Sequence, residues 1–142
     1  MSVGIPYEPR IANLRVADAM HEGVLTCDRE TSLADVAATM ARELVHCVVV
    51  EGDGGGSQPL WGIVSDLDLV AAATVRDLDE QTAGGSAVSP VVMISPDETL
   101  QRAAQLMTEN GTSHLVVVDT GSLRPVGVIS TLDVAARLAD TS

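Results

Sequence analysis

The chain carries one eight-residue phrase twice, GIVSDLDL from Gly62 to Leu69 and GVISTLDV from Gly127 to Val134. In each, a Ser stands three residues before an Asp: Ser65 with Asp68, and Ser130 with Asp133. Two chemistries fit this spacing. Where a strand turns into a helix, Ser-x-x-Asp is a capping box. The hydroxyl accepts from a backbone N–H, and the carboxylate reaches back or complements the helix dipole. A capped helix start contributes about 1 kcal/mol, reason enough to write the phrase twice. The same turn also presents unpaired N–H groups suited to phosphate. A carboxylate there accepts hydrogen bonds from vicinal hydroxyls such as those of ribose, and the Ser hydroxyl can donate to a phosphate or ribose oxygen. One residue can serve both roles.

The elements that must position these residues also come in two copies. VLTCDRETSLADVAATM from Val24 matches VVMISPDETLQRAAQLM from Val91, and HCVVVEG from His46 matches HLVVVDT from His114, with a period near 67 residues. The two His residues are expected at equivalent positions. Small length differences are expected before each His and between the VVV run and the Gly that opens the phrase. Each copy begins with a short apolar segment, Val24 to Cys27 or Val91 to Ser95. A helix follows, with apolar spacing at Leu33, Val36, Ala37, Met40 and Leu44, and at Leu100, Ala103, Ala104 and Met107. Ser32 and Thr99 stand at its N-cap. The aliphatic runs CVVV and LVVV suit buried strands. The loops EGDGGGSQPLW and DTGSLRP then close hairpins onto the phrase, and the second helix follows it. The expected fold is α/β (α+β), two βαββα repeats.

A half of this size is marginal alone, burying only about 60% of its unfolded surface. The repeats are therefore expected to pair about a pseudo-two-fold axis. The expected division is an N-terminal segment 1–14, a first domain 15–75, a linker 76–85 and a second domain 86–140. VRDLDEQTAGGSAVSP, with Gly84, Gly85 and Pro90, reads as an exposed connection.

Composition removes several function classes. Hydrophobic residues make up 46% of the chain, enough for a core, yet there is no Phe, one Trp and one Tyr. Without stacking aromatics, single-stranded nucleic acid is a poor partner. A formal net charge of −12, with every basic residue an Arg, repels nucleic acid and anionic membranes alike. No apolar run spans a bilayer, and the first residues lack a signal-peptide core. A cytoplasmic location is expected. Cys27 and Cys47 form no CxxC and read as buried free thiols. His21, His46, His114 and Cys47 lack short ligand spacing, so no metal site is expected. Nothing combines a nucleophile, a base and oxyanion donors. No catalytic residue and no enzyme activity are expected, and no cofactor is required.

The βαββα repeat, together with VADAMHEGVLTCDRETSLADVAATM, SHLVVVD and GVISTLDVA, resembles a tandem pair of CBS domains (named for cystathionine β-synthase), a Bateman module of the stand-alone bacterial type. The resemblance covers roughly Val16 to Ala139. It implies a regulatory module binding an adenosyl ligand such as AMP, ADP, ATP or S-adenosylmethionine in a cleft between the repeats, and signalling by a conformational shift. In that family the phrase contacts ribose and phosphate, which carries over to Ser65, Asp68, Ser130 and Asp133. It also implies phosphate-facing roles for His46 and His114, and base contacts at Leu25, Thr26, Val92 and Met93. A homodimer packed through helices and an unknown effector protein are the implied partners. The alternative is a ligand-free dimerisation or protein-docking module, in which the Ser-x-x-Asp phrases are caps alone. Asp66 in one phrase stands where the other has Thr131. That extra carboxylate predicts that an anionic nucleotide prefers the Ser130–Asp133 site.

Overall fold

The computed structural model describes residues 10–52, 60–88 and 91–139. Along the chain run α1 (Val16–Ala19), β1 (His21–Glu22), β2 (Thr26–Cys27), α2 (Leu33–Glu43), β3 (Cys47–Glu51), β4 (Leu60–Ser65), α3 (Asp66–Ala73) and α4 (Ala83–Ser86). They continue as β5 (Met93–Ile94), α5 (Leu100–Asn110), β6 (His114–Val118), β7 (Pro125–Ser130) and α6 (Thr131–Ala139). Short 3-10 turns at Arg10–Ala12 and Leu78–Glu80 precede α1 and α4. Both expected βαββα strings are present. Most of the expected first hairpin loop, residues 53–59, lies outside the described residues.

The chain divides into two compact units, and they do not follow the sequence repeats. The central unit is Gly23–Val91; the terminal unit joins residues 10–22 to residues 92–139. In the central unit β2 pairs parallel with β3, and β3 pairs antiparallel with β4. In the terminal unit the sheet order is β1-β7-β6-β5, with β5 parallel to β6 and the other pairs antiparallel.

Each unit receives an arm of the same design. In the terminal unit, Val16 N donates to Glu98 O, Ala17 N to Pro96 O, and Leu100 N to Leu14 O. In the central unit, Ala83 N donates to Thr31 O, Gly84 N to Arg29 O, and Leu33 N to Gln81 O. The arm that docks on the second repeat is therefore the segment preceding the first. The arm that docks on the first repeat is the expected linker. Residues 76–85 are largely exposed, as a connection would be, but they end in a docked arm: Ala83 is fully buried, and Val88 beyond them exchanges backbone hydrogen bonds with Ile63. Gly84 is there for contact rather than flexibility: a Cβ on it would lie 2.8 Å from Arg29 Cβ.

The two cores form from matching positions. Leu33, Val36, Met40, Val48, Val50 and Val64 centre one; Leu100, Ala103, Met107, Leu115, Val117 and Ile129 centre the other. With so few aromatics, the largest fully buried chains are Leu33, Leu100, Leu115 and Ile129. Burying each stabilises by about 2 kcal/mol. Ser32 and Thr99 cap α2 and α5 as expected, accepting from Asp35 N and Arg102 N at 3.1 Å each. Cys27 and Cys47 are in no disulfide and are half-buried, less enclosed than the sequence suggests. Burial raises the Cys27 thiol above its ordinary value; a hydrogen bond with Thr31 opposes this, and the charges of Asp28 and Glu51 reinforce it.

Leu44 departs from expectation. It is not on the buried face of α2 but is its left-handed C-cap (φ 56°), with 86% of its surface exposed. The helix has run out there, and Gly111 fills the same place after α5 at φ 60°. A non-Gly residue in this conformation carries a penalty of about 1 kcal/mol, and the exposed Leu returns nothing in packing. Leu44→Gly should therefore stabilise the protein slightly, raising its melting temperature by roughly 1–2 °C after Gly's own entropy cost. An unchanged or lower melting temperature would show that Leu44 packs in solution.

Candidate functional site

Both Ser-x-x-Asp phrases form complete capping boxes at a strand-to-helix turn. In the central unit, Asp68 N donates to Ser65 Oγ at 3.2 Å and Ser65 N donates to Asp68 Oδ2 at 2.8 Å. In the terminal unit, Asp133 N donates to Ser130 Oγ at 3.2 Å and Ser130 N donates to Asp133 Oδ2 at 2.8 Å. The capping interpretation of the phrase is thus correct. Each box uses only the Oδ2 oxygen of its Asp, so Oδ1 remains for other work. All four residues are half-buried, at the point where a strand hands its side chain to the start of an eight- or nine-residue helix.

The strand register corrects the placement of the His residues. Cys47 lies across from Ser65, while His114 lies across from Ser130. Asp66 N donates to His46 O, and Thr131 N donates to Ser113 O. His46 therefore matches Ser113, and His114 matches Cys47. No length difference precedes the His residues. The two missing residues of the second repeat fall wholly in the hairpin loop, since Cys47 and His114 are 67 apart and Ser65 and Ser130 are 65 apart. His is the more conspicuous letter in both strings, and matching His46 to His114 costs one residue of register.

The consequence is a difference in face. Cross-strand partners share a face, and it alternates along a strand. His114 stands on the face of Ser130, opposite the terminal core. His46 precedes β3 and pairs through Nδ1 with Asp66 Oδ2 at 3.2 Å. Asp66 also accepts from Leu67 N at 2.8 Å. His114 Nδ1 lies 3.0 Å from Ser113 Oγ. The base-contact candidates divide in the same way. Thr26 pairs with Val49 and Met93 with Val116, on the Ser65 and Ser130 faces, and both are exposed. Leu25 and Val92 pack against the cores of their units.

Sequence reasoning missed two participants. The first is the Gly that opens each phrase. A Cβ on Gly127 would lie 2.5 Å from His21 O, and one on Gly62 would lie 2.7 Å from Val88 O. These glycines let the arm's backbone close onto the strand that carries the Ser. Their repetition in the phrase was the available signal. The second is His21, whose Nε2 lies 2.9 Å from Asp133 Oδ1. Nothing in the spacing of residues 21 and 133 announces that contact.

Among the described residues, no group of three or more His, Cys, Asp or Glu side chains gathers to hold a metal, and no helix is long and apolar enough to cross a membrane.

Known proteins share this architecture. The chain is 28% identical over 123 residues to the CBS domain-containing protein YhcV of Bacillus subtilis, covering 86% of this chain and 84% of that one. The CBS domain pair of protein MJ0100, solved in complex with 5′-methylthioadenosine and S-adenosyl-L-methionine, superposes with a TM-score of 0.72 at 20% identity. That match covers 86% of this chain and 93% of the other. A hexameric CBS-CP12 protein from bloom-forming cyanobacteria gives a TM-score of 0.77 at 22% identity, over 86% of this chain and 69% of that one. The CBS domain family itself matches at residues 16–74 and again at 85–140. With both repeats matched and the fold shared, the chain belongs to the CBS domain family as a tandem pair.

Proposed function

We propose that this protein is a regulatory module that binds an adenosyl ligand (AMP, ADP, ATP or S-adenosylmethionine) through Ser65 and Asp68 in one repeat and Ser130 and Asp133 in the other. The observation that carries this reading is the form of the two phrases. Each capping box holds its Asp by Oδ2 and leaves Oδ1 outside the box, open at Asp68 and met by His21 at Asp133, in a place where a ribose diol can be received. The adenosyl ligands on the MJ0100 pair support the same class of ligand. The mechanism is a population shift: ligand favours one conformation by its differential affinity and so alters what an effector protein meets. No catalytic role is proposed, and the setting proposed is the cytoplasm.

His114 is the better phosphate-facing residue because it stands on the Ser130 face, whereas His46 lies beside the Asp66 carboxylate, whose charge disfavours a phosphate there. Asp66 adds negative charge beside Ser65, so an anionic nucleotide should favour the Ser130–Asp133 site. Self-association accompanies ligand binding rather than replacing it. Leu67 and Val70 on α3 are 73% and 65% exposed, and Leu132 and Leu138 on α6 are 71% and 54% exposed. Apolar faces of this kind suit a homodimer packed through helices.

The test is a thermal-shift panel of AMP, ADP, ATP, S-adenosylmethionine and NAD. At about 100 times Kd, a ligand stabilises by about 2.7 kcal/mol, a rise of roughly 5–10 °C for a chain of this size. At least one adenosyl compound should give that rise. A flat response across the panel at millimolar concentration would overturn the ligand-binding reading.

A further inference from the structure

The two capping boxes are alike, but they leave their remaining polar capacity in opposite states. In the central unit, Ser65 Oγ donates to Asp68 Oδ2 at 2.9 Å, so the hydroxyl proton is spent inside the box. Asp68 Oδ1 has no partner among the described residues. In the terminal unit, Asp133 Oδ1 is met by His21 Nε2 at 2.9 Å. The Ser130 hydroxyl finds no acceptor among the described residues. One site offers an open carboxylate oxygen and a committed hydroxyl; the other offers an open hydroxyl and a committed carboxylate oxygen.

The difference traces to one residue of the arms. His21 pairs with Val128 on β7, and Val88 bridges Ile63 on β4. Ile63 and Val128 hold the same place, two residues before Ser65 and Ser130, so His21 and Val88 are equivalent. Val88 is half exposed and carries no polar atom on its side chain. His21 is 79% exposed in its side chain, whereas the Asp133 side chain beneath it is only 11% exposed. The imidazole thus stands on the solvent side of the carboxylate, where a ligand's hydroxyls would have to approach.

We propose that His21 makes the two repeats unequal as sites for the vicinal diol of a ribonucleoside, because a diol reaches Asp133 Oδ1 only in exchange for the imidazole, whereas Asp68 Oδ1 is open. This rests on the adenosyl-ligand reading above and concerns ribose alone. The phosphate ranking set by Asp66 acts on a different part of the ligand. A nucleoside without phosphate should therefore prefer the central repeat, although a nucleotide is drawn toward the terminal one. The imidazole side of this contact is largely exposed, and contacts of that kind contribute little, so displacing His21 should change affinity by about two- to fivefold.

The test is calorimetric titration of the full chain with adenosine, which has the diol and no phosphate. Asp68→Asn leaves the terminal site to be read, and Asp133→Asn leaves the central one; Asn keeps much of the cap. In the Asp68→Asn protein, adding His21→Val should tighten adenosine binding about two- to fivefold. In the Asp133→Asn protein, adding Val88→His should weaken it by a similar factor. With 2′-deoxyadenosine, which has no diol, the gain from His21→Val should vanish. If His21→Val leaves adenosine binding unchanged or weakens it, the proposal is overturned while the ligand reading stands. If no variant and no parent protein binds adenosine or any compound of the panel, the ligand reading falls and the proposal with it. Melting curves identify any variant that fails to fold; should Val88→His do so, the His21→Val comparison alone decides.

Discussion

Gly127→Ala should destabilise the protein by about 2–3 kcal/mol and lower its melting temperature by roughly 10 °C. The added methyl would be placed 2.5 Å from His21 O and 3.1 Å from Met20 Sδ. The sulfur sits on a flexible side chain and can move. The carbonyl belongs to β1, whose backbone is held to β7 at His21–Val128 and Glu22–Gly127. Relief requires the arm to lift, which breaks that ladder and disturbs the fully buried Val16 behind it. Gly62→Ala should behave alike, since its methyl would meet Val88 O at 2.7 Å and Ala87 Cβ at 2.8 Å. Gly121→Ala is the control. Its methyl would meet only Asp119 Oδ2, at 3.5 Å, in an exposed turn, and the change should stay within about 0.5 kcal/mol. Equal melting of the Gly127→Ala and Gly121→Ala proteins would mean that the arm is not closely docked in solution.

The second large effect concerns the ligand. Asp68→Ala with Asp133→Ala should abolish the ligand-induced rise of roughly 5–10 °C expected of the wild type at about 100 times Kd. Both carboxylates are also caps, so the double variant should lose about 2 kcal/mol without any ligand. The two losses separate cleanly. Cap loss shifts the ligand-free melting temperature, and site loss removes the increment that ligand adds. Asp68→Asn with Asp133→Asn sharpens the distinction. Asn keeps an oxygen for the backbone N–H but presents an amide in place of a second carboxylate oxygen. That pair should melt nearer to wild type and still fail to respond. A full ligand-induced rise in either double variant would place the binding site away from these residues.

Much of this was legible in the sequence because it rests on local periodicity. The N-caps Ser32 and Thr99, the apolar spacing of α2 and α5, the aliphatic β3 and β6, and the capping boxes all announce themselves within a few residues. What stayed hidden was non-local. The His46–His114 match looked sound by letter, yet only pairing with Ser65 and Ser130 reveals that it slips one residue and so changes face. Leu44 carried the right hydrophobicity at the right spacing, and nothing local said that the helix would end beneath it. The Gly84–Gly85 pair suggested a loose linker, because composition cannot distinguish a glycine that must bend from one that must touch Arg29. The His21–Asp133 contact spans most of the chain and could be found only by folding it.

The discontinuity of the terminal unit sets an order of events at the ribosome. The central unit has all its parts once residue 91 has emerged, but residues 10–22 must wait for residues 92–139. At ordinary rates of synthesis that wait is on the order of ten seconds. During it, among the described residues the groove of matching design is the one that receives residues 77–88. Side-chain size guards that groove. Misdocking would put Val16 where Ala83 is fully enclosed, and Ala17 where a methyl would strike Arg29 Cβ at 2.8 Å. The glycine at position 84 thus distinguishes the two arms, since the early arm carries Ala17 at the matching place and would meet Arg29 there.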